Sequence, residues 1–358
     1  MCNSELRCAT SGESLRTSEH ASFYVADQAY LPSSSVTTRG TVFMFSGQGA
    51  QYFGMGQAVF ERDPVFRRWM LELDAQASRR LGFSIVDLLY HGGHRKMDPF
   101  ERLMMTHPAI FMVEYAMASA LHGAGLRADA VLAASMGAFA AAAFAGYLGV
   151  ELALELVIDQ AEIVEQTCGA GGMLAVLADV ELFHDAGLDR LSAFAGKNSA
   201  AHFIVAGPTQ ALAEVEAILR ARQVTFQRLP VPFAFHSAWI DVAREPMLQR
   251  LSAPRAGTAE IRFICCAYQM RLDILPDDYF WNACRMPIEF QQTMTRLDAD
   301  GPYRYIDVGP AGTLATLAKY ALGPDTAFRM FPTMSPFGND LERIEQIHLK
   351  SRPHSVSP

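Results

Sequence analysis

Excess positive charge is what this chain most plainly lacks: 30 Lys and Arg stand against 38 Asp and Glu, for a formal net charge of −8. Phosphate binding needs a basic face, so nucleic acid is excluded as the main ligand, and a polybasic grip on a membrane surface is equally unpromoted. Cysteine is scarce and unordered, with six residues at 2, 8, 168, 265, 266 and 284 and no CxxC pair. That spacing argues against a disulfide framework or a zinc site. The opening MCNSELRCATSGES has no apolar stretch of a secretory leader, so a reducing cytoplasm is the expected compartment. The GxGxxG fingerprint is absent, and the glycine-rich SGQGAQYFGMG at 46–56 lacks the Lys-Ser/Thr of a phosphate loop. His91 and His94 offer two nitrogens, but no further cluster completes a metal site, so a polar loop is expected there and no metal.

What the chain does have is apolar mass: 358 residues, 50% hydrophobic and only 19% charged, enough for a sizeable interior and too much for general disorder. From Ala130 to Val150 there is no charged side chain at all. A run of roughly 20 such residues can span a bilayer. Here it is mostly Ala and Gly, which supply little transfer free energy, so a buried segment with close backbone approach is the expected form.

Residues 1–40, rich in Ser, Thr and Ala, read as a mobile extension, and 346–358 as a tail. TVFMF from Thr41 predicts a buried parallel strand, followed by the turn-forming SGQGAQ at its carboxyl end. Helical periodicity covers about Ala58–Leu89 and about Pro108–Gly123. A strand over Ala130–Ala134, a tight turn holding Ser135 and a small-residue helix to about Tyr147 come next. From 171 to 237 the order βαββαβ predicts a ferredoxin-like small subdomain, inserted between 41–170 and 238–345. RYIDVG at 304–309 returns to the strand pattern.

Ala133-Ala134-Ser135-Met136-Gly137 differs from GxSxG by one methyl. That pattern makes a sharp strand-to-helix turn, lifting the hydroxyl over a helix N-terminus and leaving the next backbone N–H to face a carbonyl oxygen. Pattern alone leaves open a Ser that merely packs in an Ala-rich helix.

This elbow, SGQGAQYFGMG at 46–56, THPAIF at 106–111, NSAAHFIVAG at 198–207, FAFHS at 233–237, WNACRMPIEF at 281–290 and DVGPAGTLATL at 307–317 resemble, in this order, motifs of malonyl-CoA:acyl-carrier-protein transacylases and polyketide-synthase acyltransferase domains. The resemblance spans about Thr41 to Asp340. It implies an α/β fold: an α/β-hydrolase-like large subdomain with a parallel sheet and nucleophile elbow, plus the inserted small subdomain. It implies Ser135 as acyl-accepting nucleophile and His236 as general base and acid, oriented by a backbone carbonyl from Asn282–Ala283. Gln48 and Met136 would supply the oxyanion-hole amides, and Asn198 would bond the loop carrying His236. Acyl-group contacts fall to Gln160, Phe233, Phe235 and His107.

The departures carry as much. The family usually has His before the nucleophile and Glu after the following Gly, where this chain has Ala134 and Ala138. An arginine in malonyl-specific members grips the free carboxylate, and the matching position holds Gln160. A neutral amide forms no bidentate ion pair, so a buried carboxylate facing it loses a bond of about 1.5–3 kcal/mol and stays unneutralised. Uncharged acyl groups are therefore expected. Stand-alone proteins of this kind resemble the proofreading acyl hydrolases of trans-acyltransferase polyketide pathways, which implies hydrolysis of acyl groups on acyl carrier protein. Transfer of acetyl or another neutral acyl from CoA to the carrier is the alternative, and a noncatalytic docking partner the third. No bound cofactor is expected beyond the phosphopantetheine arm of the substrate, on carrier protein or CoA. The partners expected are acyl carrier protein and small acyl thioesters, not nucleic acid or membrane. An acidic carrier would need a local basic surface on this acidic chain, with Arg222, Arg228 and Lys197 as candidates.

Overall fold

A computed structural model describes residues 38–250, 259 and 261–351. Most of the expected extension and the last residues of the expected tail lie outside them. Gly40, assigned to the extension above, opens the first strand, β1 (Gly40–Phe45), whose five remaining residues are all buried, as a central parallel strand requires. The helical stretch expected over Ala58–Leu89 is divided into α1 (Gln57–Arg62), α2 (Pro64–Leu81) and α3 (Ile85–Tyr90). Asp63 starts α2 by accepting from the Val65 and Phe66 N–H groups ahead of Pro64, and Gly82 ends it at φ 78. The next helix, α4 (Leu103–Gly123), begins before the expected Pro108, which it carries inside. Pro108 removes one N–H near the helix start, and the nearly continuous burial that follows outweighs that loss.

The uncharged run resolves into β2 (Ala130–Ala133), a turn, and α5 (Gly137–Phe144), almost entirely buried. The helix α6 (Val150–Thr167) then completes the layer against α4 and α5. Among the described residues no helix is long and apolar enough to cross a membrane.

The expected βαββαβ order follows as β3 (Gly171–Val176), α7 (Leu182–Asp185), β4 (Ala193–Ser199), β5 (His202–Pro208), α8 (Thr209–Ala221) and β6 (Phe226–Arg228). Its strands form an antiparallel sheet in the order β4-β5-β3-β6, with Leu212, Val215 and Leu219 of α8 packed on Leu174 and Phe203. The chain then returns to the large part through α9 (Arg244–Arg250), β7 (Arg262–Cys265), β8 (Met270–Leu272), α10 (Tyr279–Arg285) and α11 (Phe290–Ala299). It ends with β9 (Tyr303–Asp307), α12 (Thr313–Leu322), β10 (Met330–Pro332) and α13 (Asp340–Ser351). The last helix runs past 345, so the tail does not begin there. The large sheet has the order β10-β9-β1-β2-β7-β8, parallel except for β8. The small sheet is tied to the large part at a seam where Ile288, between α10 and α11, pairs with Gly196 of β4, its N–H donating to Ala195 O at 2.9 Å.

Candidate active site

Strands β1 and β2 are neighbours in register, with Phe45 opposite Ala133, so the loop after one and the turn after the other leave the sheet side by side. Ligand sites in open parallel sheets lie at such carboxyl ends. Ser135 occupies the turn at φ 54, a left-handed conformation rare for a side chain other than glycine and worth about 1–3 kcal/mol of strain. Small residues make the turn possible: a Cβ on Gly137 would stand 2.4 Å from the Phe45 and Ser46 carbonyl oxygens. The β1 loop in turn lies directly on the serine, since a Cβ on Gly47 would stand 2.8 Å from Ser135 Cβ.

His236, at φ 59 and 2% exposed, reaches Ser135 Oγ with Nε2 at 2.8 Å. Its Nδ1 lies 2.7 Å from the Met286 carbonyl oxygen, which can only accept, so Nδ1 carries the hydrogen and Nε2 offers its lone pair. The serine O–H therefore donates to the ring. Burial pushes the His236 pKa down to about 4, with the Met286 bond opposing and the Arg285 charge adding to the shift. The ring is neutral at neutral pH, the state a general base needs. The backbone carbonyl comes from Met286, not from Asn282 or Ala283. Those two lie inside α10, where the Asn282 carbonyl is already taken by the Met286 N–H and its amide donates to Tyr268 Oη at 2.8 Å. The His236 N–H is tied to Cys284 O at 2.9 Å.

Among the described residues, no protein acceptor takes the backbone N–H of Gln48 or Met136, the two amides flanking Ser135. The Gln48 side chain is turned away and held by α4: its Oε1 lies 3.0 Å from His107 Nε2, and its Nε2 faces Thr106 Oγ1 at 3.4 Å. Two turns further along α4, the fully buried Glu114 accepts from Ser46 N at 2.8 Å and Ser46 Oγ at 2.7 Å. Burial holds the Glu114 carboxyl well above the usual range. Sequence reasoning missed this anchor, although Glu114 is the lone Asp, Glu, Lys or Arg in the stretch Leu103–Gly123.

Ser135, His236, Gln48, Met136, His107, Gln160, Phe235 and Asn198 all line one cleft of about 960 Å³, part of it open to solvent. Its remaining wall is largely apolar, and among the described residues no Lys or Arg lines it. Gln160, 1% exposed on α6, has no nitrogen or oxygen partner at either Nε2 or Oε1, and only the Cys284 sulfur, a weak acceptor, lies within reach of its amide. The thiol of Cys284 beside it directs its hydrogen to the Phe280 and Trp281 carbonyls at 3.1 and 3.2 Å. The Nδ1 of His107 is likewise buried without a partner. Each buried polar atom left unpaired costs about 1–3 kcal/mol.

Some expected roles are not met. Phe233 does not line the cleft; its ring meets Phe235 edge-on, 6.4 Å between centroids, and backs that side chain instead. Asn198 lines the cleft, but among the described hydrogen bonds none joins it to the His236 loop, which Cys284 and Met286 hold. Ala134 and Ala138 are buried, at 4% and 1% exposure. His91 bonds Asp87 Oδ1 at 3.0 Å and His94 stacks on Phe53, consistent with a polar loop. Of the basic docking candidates, Arg228 is already paired with Glu216 at 2.7 Å.

The acyl transferase domain family matches residues 42–352. The polyketide biosynthesis acyltransferase homolog BaeD of Bacillus velezensis is 42% identical over 307 residues, 86% of this chain and 95% of its own length. The homolog PksD of Bacillus subtilis is 37% identical over 313 residues, 87% of this chain and 97% of its own. Among solved structures, the loading acyltransferase of the avermectin modular polyketide synthase aligns with a TM-score of 0.80 at 24% identity, over 88% of this chain and 100% of that one. Malonyl CoA-acyl carrier protein transacylase from Clostridium perfringens aligns with a TM-score of 0.72 at 21% identity, over 87% and 96%. These structural likenesses show a shared fold.

Proposed function

This chain belongs to the acyl transferase family, and from that premise we infer that it is a Ser-His enzyme that takes uncharged acyl groups from acyl carrier protein and releases them to water. The observation that carries the substrate reading is the buried, neutral Gln160 in a cleft that no Lys or Arg lines among the described residues. The histidines on that wall do not replace the missing cation: burial pushes His107 to about 3 and His236 to about 4, and lowers His202 as well. A malonyl carboxylate brought here would meet no opposite charge.

Ser135 Oγ attacks the thioester carbon while its proton passes to His236 Nε2, and the anion formed on the carbonyl oxygen is received by the Gln48 and Met136 N–H groups. Collapse breaks the C–S bond, and His236 returns the proton to the departing phosphopantetheine thiol. Water then attacks the acyl-serine ester and gives its proton to His236. The C–O bond to Ser135 breaks, the serine is reprotonated, and the free acid leaves. If a second carrier thiol takes the place of water, the same site performs transfer.

Hydrolysis rests on the resemblance of a stand-alone chain with neutral Gln160 to proofreading acyl hydrolases; BaeD and PksD, named as acyltransferase homologs, are likewise covered almost end to end by this one domain. The test presents acetyl-carrier protein together with a second, unloaded carrier and follows free acetate against acetyl on the second carrier. Acetate is expected to dominate, and dominant transfer would overturn the hydrolytic reading. Ser135→Ala is expected to abolish both products and the mass adduct on the protein. A persistent adduct would remove Ser135 as nucleophile.

A further inference from the structure

The apolar wall of the cleft is interrupted by a small set of unpartnered polar atoms. Gln48 fixes the state of the first. Its Nε2 lies 3.5 Å from the Glu101 carbonyl oxygen, which can only accept, so its Oε1 faces His107, and an amide oxygen likewise only accepts. His107 Nε2 therefore carries the ring hydrogen, and Nδ1, buried and unpartnered, is a bare acceptor. Gln160 adds one more acceptor, Oε1, and one donor, Nε2, buried in the same cleft with no nitrogen or oxygen partner and only the weakly accepting Cys284 sulfur beside them, and His202 Nε2 is a further buried, unpartnered ring nitrogen on that wall. This is a neutral mixed set, with nothing in it to balance a charge. A plain alkyl chain would cover these atoms and pair none of them. A keto oxygen could use the Gln160 donor but would leave the His107 and Gln160 acceptors unpaired, and an ammonium would find no carboxylate on the wall among the described residues.

We propose that the acyl groups this cleft selects are neutral and hydroxylated. The hydroxyl hydrogen goes to His107 Nδ1 or Gln160 Oε1, and its oxygen accepts from Gln160 Nε2. The inference rests on the reading of the site as one for uncharged acyl thioesters. It adds that a site with unpaired buried donors and acceptors discriminates strongly against an analogue lacking the matching group, whereas an apolar pocket separates such pairs poorly.

The full chain is offered N-acetylcysteamine thioesters of butyrate, 2-hydroxybutyrate, 3-hydroxybutyrate and malonate, and thiol release gives kcat/KM for each. One hydroxybutyryl thioester is expected to exceed butyryl by about tenfold or more, with malonyl slowest. Gln160→Leu is expected to bring that ratio to about one or below by raising butyryl turnover relative to hydroxybutyryl. Butyryl equal to or faster than both hydroxy compounds, with malonyl still slowest, overturns the hydroxyl inference and leaves the neutral-acyl reading standing; solvent satisfying those polar atoms would give this result. Malonyl as the fastest substrate overturns the neutral-acyl reading itself. Because the wild-type ratio is decisive alone, the test survives a variant that does not fold.

Discussion

Ser135 and His236 both hold left-handed backbone, at φ 54 and φ 59, and the surroundings must impose it. For Ser135 the close contact of Gly137 with the Phe45 and Ser46 carbonyls does so, and for His236 the bond from its N–H to Cys284 O. Burial of the His236 ring has a measurable consequence. With its pKa near 4 rather than 6.5, the ring stays neutral in mild acid. The kcat/KM for thioester consumption is expected to stay level from about pH 7 to about pH 5 and to halve near pH 4. A half-point near 6.5 would mean the free enzyme solvates this ring. The same shift bears on stability: a depressed folded pKa gives a contribution present above 6.5 and lost as pH falls towards 4. Asp307, raised to about 6 by burial, works in the opposite sense, its contribution being lost as pH rises from 3.8 to about 6. Rate rather than unfolding is thus the measurement that isolates His236. At this scale the two side chains of the Ser135–His236 pair were legible, because Ser in an elbow and His in FAFHS are residue identities. The Met286 carbonyl was not, since every residue carries one and only the path of the chain after α10 brings this one to Nδ1.

Helix α4 is more than packing. It holds the β1 loop at two points, Gln48 through His107 and Ser46 through Glu114. In the proposed reaction the Gln48 amide can serve the carbonyl oxygen only if that loop stays over Ser135. Replacing Glu114 by Leu leaves the Ser46 N–H and hydroxyl without their acceptor, and a loss of about 1–3 kcal/mol in denaturant unfolding is expected. A fall of about tenfold or more in kcat should accompany it, if the loop shifts enough to weaken one oxyanion bond. Glu114→Gln, which keeps an oxygen for both donors, should retain most of each. Wild-type kcat in a destabilised Glu114→Leu would confine the helix to a stabilising role. The periodicity of α4 was visible in the sequence and so, in principle, was the oddity of one carboxyl in it. What that carboxyl faced depended on the loop after a strand more than sixty positions earlier, a separation along the chain that no local pattern spans.

The cleft belongs to neither sheet alone. Ser135 and the Gln48 loop come from the large sheet, Asn198 and Met173 from the small one, and His236 from the stretch where the chain crosses back. The seam at Gly196 and Ile288 sets their relation, and a Cβ on Gly196 would stand 2.6 Å from Ile288 O. Backbone cannot yield there as a side-chain tip can. Gly196→Val is expected to cost about 1–3 kcal/mol and to lower activity out of proportion by displacing one wall of the cleft. Unchanged kcat/KM in a destabilised variant would show that the seam does not position the site. The sequence by itself determined the alternation of strands and helices, the inserted βαββαβ unit, the elbow and the neutrality of position 160, because periodicity, small residues and missing charge are properties of neighbours along the chain. The split of the first helical stretch, the length of α13, the carbonyl behind His236, the anchor at Glu114 and the unpaired polar atoms of the cleft wall were decided only by tertiary structure. Each depends on which distant atoms share a dry interior, where a donor must find its acceptor or go without.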